Sequence, residues 1–93
     1  MLIFIIMYDI PCNKRRKRVS DLLEGYGKRV QYSVFECLLT PRKYEELRYR
    51  LRQRVDINQD NLRFYPLSGH TVAKIETWGV GPPVTDFPGS IVV

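Results

Sequence analysis

Residues 2–8, LIFIIMY, are apolar without a break, and polar residues follow at once. A short, continuous, Ile-rich run of this kind predicts a strand in the interior of a sheet. Asp9-Ile10-Pro11 ends it. Apolar residues then return as Val19, Leu22, Leu23 and Tyr26, the i, i+3, i+4, i+7 spacing of an amphipathic helix over 14–26. Asn13 is the expected N-cap, and Gly25 and Gly27 stop the helix. The β-rich stretch KRVQYSVFECLL, 28–39, predicts two strands joined by a tight connection at Tyr32-Ser33. Thr40-Pro41 supplies an N-cap and a first-turn proline for a second helix, which buries Tyr44, Leu47 and Leu51 and runs to about Arg54. DINQDN, 56–61, is a polar turn, and LRFYPL, 62–67, is a strand whose Pro66 belongs at a sheet edge or a strand end. TVAKIETW, 71–78, alternates apolar and polar and predicts a further strand.

The resulting order is β-α-β-β-α-β plus an extra C-terminal strand. It predicts an α+β, ferredoxin-like fold, with two helices on one face of an antiparallel sheet. Residues 1–78 form this domain, and 79–93, a tail with three prolines, is expected to pack on a partner subunit. One sheet face is left uncovered. A chain of 93 residues buries only about 60–68% of its unfolded surface, so a second copy on that face is the expected partner.

Charge narrows the partners further. The net charge is +5, and ten of the fifteen basic residues are Arg, the side chain suited to bidentate contact with phosphate. A nucleic acid is therefore the first expectation and an anionic membrane surface a weaker one, because the basic helix lacks a membrane-seeking apolar face. The apolar start has no basic region before it, no cleavage site after it, and too few residues to span a bilayer. The reading is a cytoplasmic protein with no membrane association. Cys12 and Cys37 make no CxxC pair and His70 is the single histidine, so a structural zinc site is excluded; Cys37 reads as core and Cys12 as loop.

Most catalytic constellations are missing. No nucleophilic triad, P-loop or GxGxxG pattern is present. Asp56, Asn58 and Asp60 open like a calcium loop, but the sixth position is not Gly and Leu67 stands where a bidentate Glu is needed. The RNA-stacking strand of an RRM is absent too.

What remains is the junction of Asp9 and the block KRRKR, 14–18. Arg15 and Arg16 flank the apolar stripe of the first helix on the turn nearest the end of the first strand, a good anion site. Lys14 and Lys17 project away from it. A carboxylate at a strand end can cap a helix or pair with an arginine. It can equally be a hard oxygen ligand for Mg²⁺ or Mn²⁺, the ions that assist phosphodiester hydrolysis. One Asp is too few, but two copies meeting across a two-fold axis would share a site. Glu36 and Asp86 are further carboxylates with no spacing that ties them to Asp9.

YDI at 8–10, the basic run leading into VSDLLEGYGKRVQYSVFEC at 19–37, and RFYPL at 63–67 resemble the smaller of the two universal CRISPR-associated adaptation proteins. The resemblance covers residues 1–78, and GYGKRVQYSVFEC is its most specific part. It implies a ferredoxin-like dimer acting as a Mg²⁺-dependent endonuclease on RNA or duplex DNA, and as the centre of a spacer-inserting complex with the larger adaptation integrase. Carried over by position, it makes Asp9 the metal ligand shared between subunits. Tyr8, Arg16, Arg18, Arg29 and Phe35 become positions for activity or substrate contact. It also implies that the strand after residue 70 pairs with the partner's sheet. A DNA-binding scaffold without hydrolysis is the alternative that the same resemblance allows.

Overall fold

The computed structural model describes residues 1–86 of the chain. Its elements are β1 (Leu2–Asp9), α1 (Asn13–Glu24), β2 (Gly27–Gln31), β3 (Val34–Leu39), α2 (Pro41–Arg52), β4 (Asn61–Leu67) and a single turn, α3 (Gly69–Val72). The four strands form one sheet in the order β2-β3-β1-β4, with every neighbouring pair antiparallel. This is the ferredoxin-like arrangement expected from the element order.

The alternation of β1 divides the sheet into two faces. Phe4, Ile6 and Tyr8 turn toward the helices and join Val19, Leu23, Phe35, Cys37, Leu39, Leu47 and Leu51 in one core. The helical spacing read in the sequence therefore buries the predicted stripes, with Tyr44, Leu22 and Tyr26 at their margins. Thr40 caps α2 as expected, its Oγ1 accepting from the Lys43 N–H at 3.1 Å. Pro66 is tolerated because β4 is an edge strand, paired only with β1. The opposite face carries Ile3, Ile5, Met7 and Asp9 of β1, flanked by Val34, Glu36 and Leu38 of β3 and by Asn61, Arg63, Tyr65 and Leu67 of β4. On this face Ile3 and Glu36 are buried, Glu36 under Thr85 of the C-terminal segment, while Asp9, Asn61, Arg63 and Tyr65 are exposed.

Three expectations are corrected. Residues 71–78 are not a strand: Ser68 Oγ accepts from the Thr71 N–H at 3.0 Å and starts the turn α3, after which the chain is irregular. Val72 and Ile75, which alternation made into a strand face, are also three apart, and they are the half-buried positions of this segment. Asn13 is not the N-cap of α1. Cys12 holds that position, and Asn13 lies in the first turn, where its Oδ1 accepts from Arg16 Nη2. α2 ends at Arg52 rather than Arg54, whose side chain returns to cap the Arg50 carbonyl at 2.9 Å.

The expected tail begins at Gly79. Its described part, to Asp86, is irregular, and Thr85 donates from its backbone N–H and its hydroxyl to Glu36 Oε1 of the same chain. The rest of that tail, 87–93, lies outside the described residues. No helix is long and apolar enough to cross a membrane among the described residues.

Both thiols stand where the sequence put them. Cys37 is fully buried, and burial pushes its thiol up to about 12. Cys12 is half-buried, and the backbone N–H groups at the start of α1 pull its thiol below the ordinary cysteine value. Iodoacetamide at pH 8 should therefore modify one thiol per folded chain, at Cys12, and two after unfolding; mass spectrometry counts them.

Candidate active site at the end of strand β1

Asp9 ends β1 because the Pro11 ring two residues on cannot donate to a ladder. Its carboxylate is exposed on the face away from the helices and takes no hydrogen bond or salt bridge from any described residue. The dull role weighed for it, a cap or an arginine partner, is therefore not the one it plays here. Across the sheet stands Asn61, directly opposite Asp9 in the β1–β4 register.

The arginines divide differently from the sequence reading. Arg15 is committed elsewhere: its Nε and Nη2 donate to Asp60 at 2.8 and 2.9 Å in a bidentate pair. Asp60 also accepts from the Asp56 N–H at 2.8 Å, so DINQDN is a self-bonded turn clamped onto α1. The Asp60 side chain is only 1% exposed and that of Arg15 23%, which makes this a structural pair rather than a substrate contact. The Arg15 guanidinium holds the Asp60 carboxyl below its usual range. Unfolded Asp60 titrates at about 3.9, so the pair contributes fully above that pH, and its contribution is lost as pH falls through the lower folded value. Asp60→Asn should flatten the acid limb of stability below about pH 4, read as urea midpoint against pH.

Arg16 belongs to the site's border. Its Nη1 donates to the Ile10 carbonyl at 2.9 Å, so the guanidinium is anchored one residue beyond Asp9. Arg18 is exposed and engaged by no described carboxylate. Lys17 faces solvent as expected and pairs with Asp21 at 3.0 Å.

Tyr8, Arg29 and Phe35 are brought together, but on the helix side of the sheet. The Phe35 ring stacks on Tyr8 at 6.4 Å between centroids, and the Arg29 guanidinium lies 4.8 Å over Phe35. Arg29 also donates to Ser20 Oγ and the Tyr32 carbonyl and pairs with Glu24 at 3.1 Å. Phe35 as a substrate contact is a correction: its exposure is 0%, because β3 turns it into the core. Tyr8, 6% exposed, likewise has its ring in the core, and only its hydroxyl reaches toward the Tyr32 carbonyl, at 3.5 Å. Glu36 lies on the open face beneath Thr85, and Asp86 is exposed on the tail; neither joins Asp9 in a cluster of three ligands among the described residues.

Asn61 and Arg63 are the neighbours of Asp9 that sequence reasoning missed. Nothing local marks them, since their place depends on the register of strands more than fifty residues apart. For a divalent cation the donor chemistry fits in one respect: Asp9 offers an exposed, hard carboxylate that no described residue engages.

The comparisons agree with this fold. A family model described as CRISPR associated protein Cas2 matches residues 1–75. The chain is 56% identical over the full length of both chains to "CRISPR-associated endoribonuclease Cas2 3" of Synechocystis sp.. It is 48% identical to "CRISPR-associated endonuclease Cas2 2" of Thermus thermophilus, over 86% of this chain and 84% of that one. Among solved structures, a chain of a "Partial Cas6-RT-Cas1--Cas2 complex" superposes with a TM-score of 0.79 at 35% identity, covering 100% of both chains. With that match over most of its length and these relatives, the chain belongs to the CRISPR-associated Cas2 family.

Proposed function

We propose that this Cas2 chain works as a homodimer, with the apolar open faces of two sheets together, and hydrolyses phosphodiester bonds of RNA or duplex DNA at a site built from two copies of Asp9. The observation that carries the reading is the Asp9 carboxylate, exposed at the end of β1 on the face away from the helices and engaged by no described residue. The relatives' names, endoribonuclease and endonuclease, support the reaction class. Mg²⁺, or Mn²⁺ in its place, would be held by the two Asp9 carboxylates and supply charge shielding and water activation at the phosphate. The chain's own residues do the rest. Asp9 holds its oxygens toward the two-fold axis, and Arg16, braced on the Ile10 carbonyl, presents positive charge beside the phosphate. Arg18 extends that charge along α1.

A second reading rests on a different observation. Arg42, Arg50 and Arg52 of α2 are exposed and unpaired with any described carboxylate, a surface suited to duplex backbone. In that role the dimer is a DNA-binding scaffold that seats the larger integrase, and the likeness to a chain of a Cas1–Cas2 complex supports such a partner. A cytoplasmic location goes with either reading.

A cleavage assay on matched RNA and duplex DNA, with and without Mg²⁺, separates the two when wild type is compared with Asp9→Ala. Metal-dependent cutting lost in the variant supports the nuclease. Cutting that survives in clean Asp9→Ala preparations, or is absent from wild type, leaves the scaffold.

A further inference from the structure

The register of β1 and β4 gives Asp9 one partner within its own chain. Asp9 and Asn61 are directly opposite, both exposed, and opposite residues of an antiparallel pair share a face with Cβ atoms about 4.5–5.5 Å apart. The Asn61 amide is already half engaged. Its Oδ1 accepts from Arg63 Nε at 3.3 Å, and Arg63 is steadied in turn by donating from Nη1 to the Tyr65 hydroxyl at 3.0 Å. A carboxamide whose oxygen is taken has its two N–H donors left to offer. The ionised Asp9 carboxylate is an acceptor only, so the two groups are complementary. The opposite use, Oδ1 as a metal ligand, is disfavoured because a guanidinium sits on that oxygen and repels a dication.

We propose that Asn61 is a positioning residue for Asp9. The two side chains make no hydrogen bond in this structure, but they stand opposite one another, and with a cation held Nδ2 would donate to one carboxylate oxygen and turn the other toward the ion. The line Arg63 to Asn61 to Asp9 runs along one face of each copy, and a two-fold site would contain it twice. This rests on the metal-site reading of Asp9 given above. A donor behind a ligating carboxylate fixes its orientation, and its removal weakens metal binding about 10- to 100-fold.

The test is Mn²⁺ affinity of the full chain, followed by the EPR signal of free ion, with melting temperature measured alongside. Asn61→Ala is expected to bind about 10-fold more weakly at unchanged melting temperature. Asn61→Thr, which keeps a short donor and suits a strand, should recover most of the loss. Asn61→Asp, whose carboxylate cannot donate at neutral pH, should bind no better than Asn61→Ala. The inference is overturned by wild-type affinity in Asn61→Ala, by no recovery in Asn61→Thr, or by tighter binding in Asn61→Asp, which would make the residue 61 oxygen a ligand. Asp9→Ala distinguishes the two levels. If it loses Mn²⁺ while Asn61→Ala does not, the Asn61 assignment alone fails; if it keeps Mn²⁺ like wild type, the Asp9 site fails and this inference with it.

Discussion

Replacing Asp9 by alanine is expected to reduce metal-dependent cleavage to background while leaving the fold and salt-sensitive nucleic-acid binding nearly unchanged. The size follows from what the residue supplies. Cation shielding of a phosphate is worth several kcal/mol of transition-state stabilisation, and each 1.36 kcal/mol is tenfold in rate, so the loss should reach about 10²- to 10³-fold or more. In the two-fold site proposed above, a single substitution would remove both ligands and add to the loss. The fold should survive because the Asp9 side chain is exposed and contributes no hydrogen bond or salt bridge among the described residues. Binding should survive because the exposed arginines of α1 and α2 are untouched, and the slope of affinity against salt reports their number. Gel-shift titrations at two salt concentrations, beside the cleavage assay, check both halves. A variant that loses cleavage and binding together would mean that Asp9 acts through the fold or the dimer rather than through a cation.

The largest effect on stability is expected at Gly27. This residue opens β2 opposite Cys37, at the point where the sheet's edge strand leaves α1. A Cβ added there would meet the Glu36 carbonyl at 2.6 Å and the Cys37 Sγ closer still, while Cys37 itself is fully buried. Backbone at that distance has no rotamer by which to escape, so β2 must move off β3. Overpacking of this kind costs about 1–3 kcal/mol, occasionally more, against a total stability of about 5–15 kcal/mol. Each kcal/mol lowers the melting point of a domain this size by about 4–8 °C. Gly27→Ala should therefore melt some 5–20 °C below wild type by circular dichroism, and Gly27→Val lower again. Adding Cys37→Ala should restore only part of the loss, since it relieves the sulfur but not the carbonyl. A Gly27→Ala protein with wild-type stability, or complete rescue by Cys37→Ala, would mean that β2 and β3 separate at this point at little cost.

These two residues differ in how they could be found. Asp9 stands out in the linear chain, because a lone carboxylate ending an apolar run before a basic block is locally odd. Gly27 reads there only as a helix stop. Its demand for a missing side chain arises from β3, ten residues on, and is visible only once the strands are paired.

Local patterns determined most of the fold. A continuous apolar run, β-rich stretches and the 3.6 period placed four strands and two helices, Thr40 marked its cap, and Pro66 marked an edge, because each depends on neighbours within a turn or a strand. The one strand that local alternation wrongly predicted, 71–78, failed because apolar residues three apart satisfy a helical turn as well, and Ser68 supplied the cap that decided between them.

Of the candidate site, only Asp9 and, in part, Arg16 were legible in the sequence. Tertiary structure decided the rest. Arg15, next in sequence to Arg16 and alike in chemistry, is taken by Asp60 forty-five residues away. Phe35 and Tyr8 are turned into the core by strand alternation, while Asp9, one residue beyond Tyr8, faces the opposite way. Asn61 becomes the neighbour of Asp9 only through the register of β4. A sequence records which groups a chain carries and their local period. Which of them remain free for chemistry is decided by long-range pairing, since each ion pair, buried ring and strand register commits a group whose partner is far away along the chain.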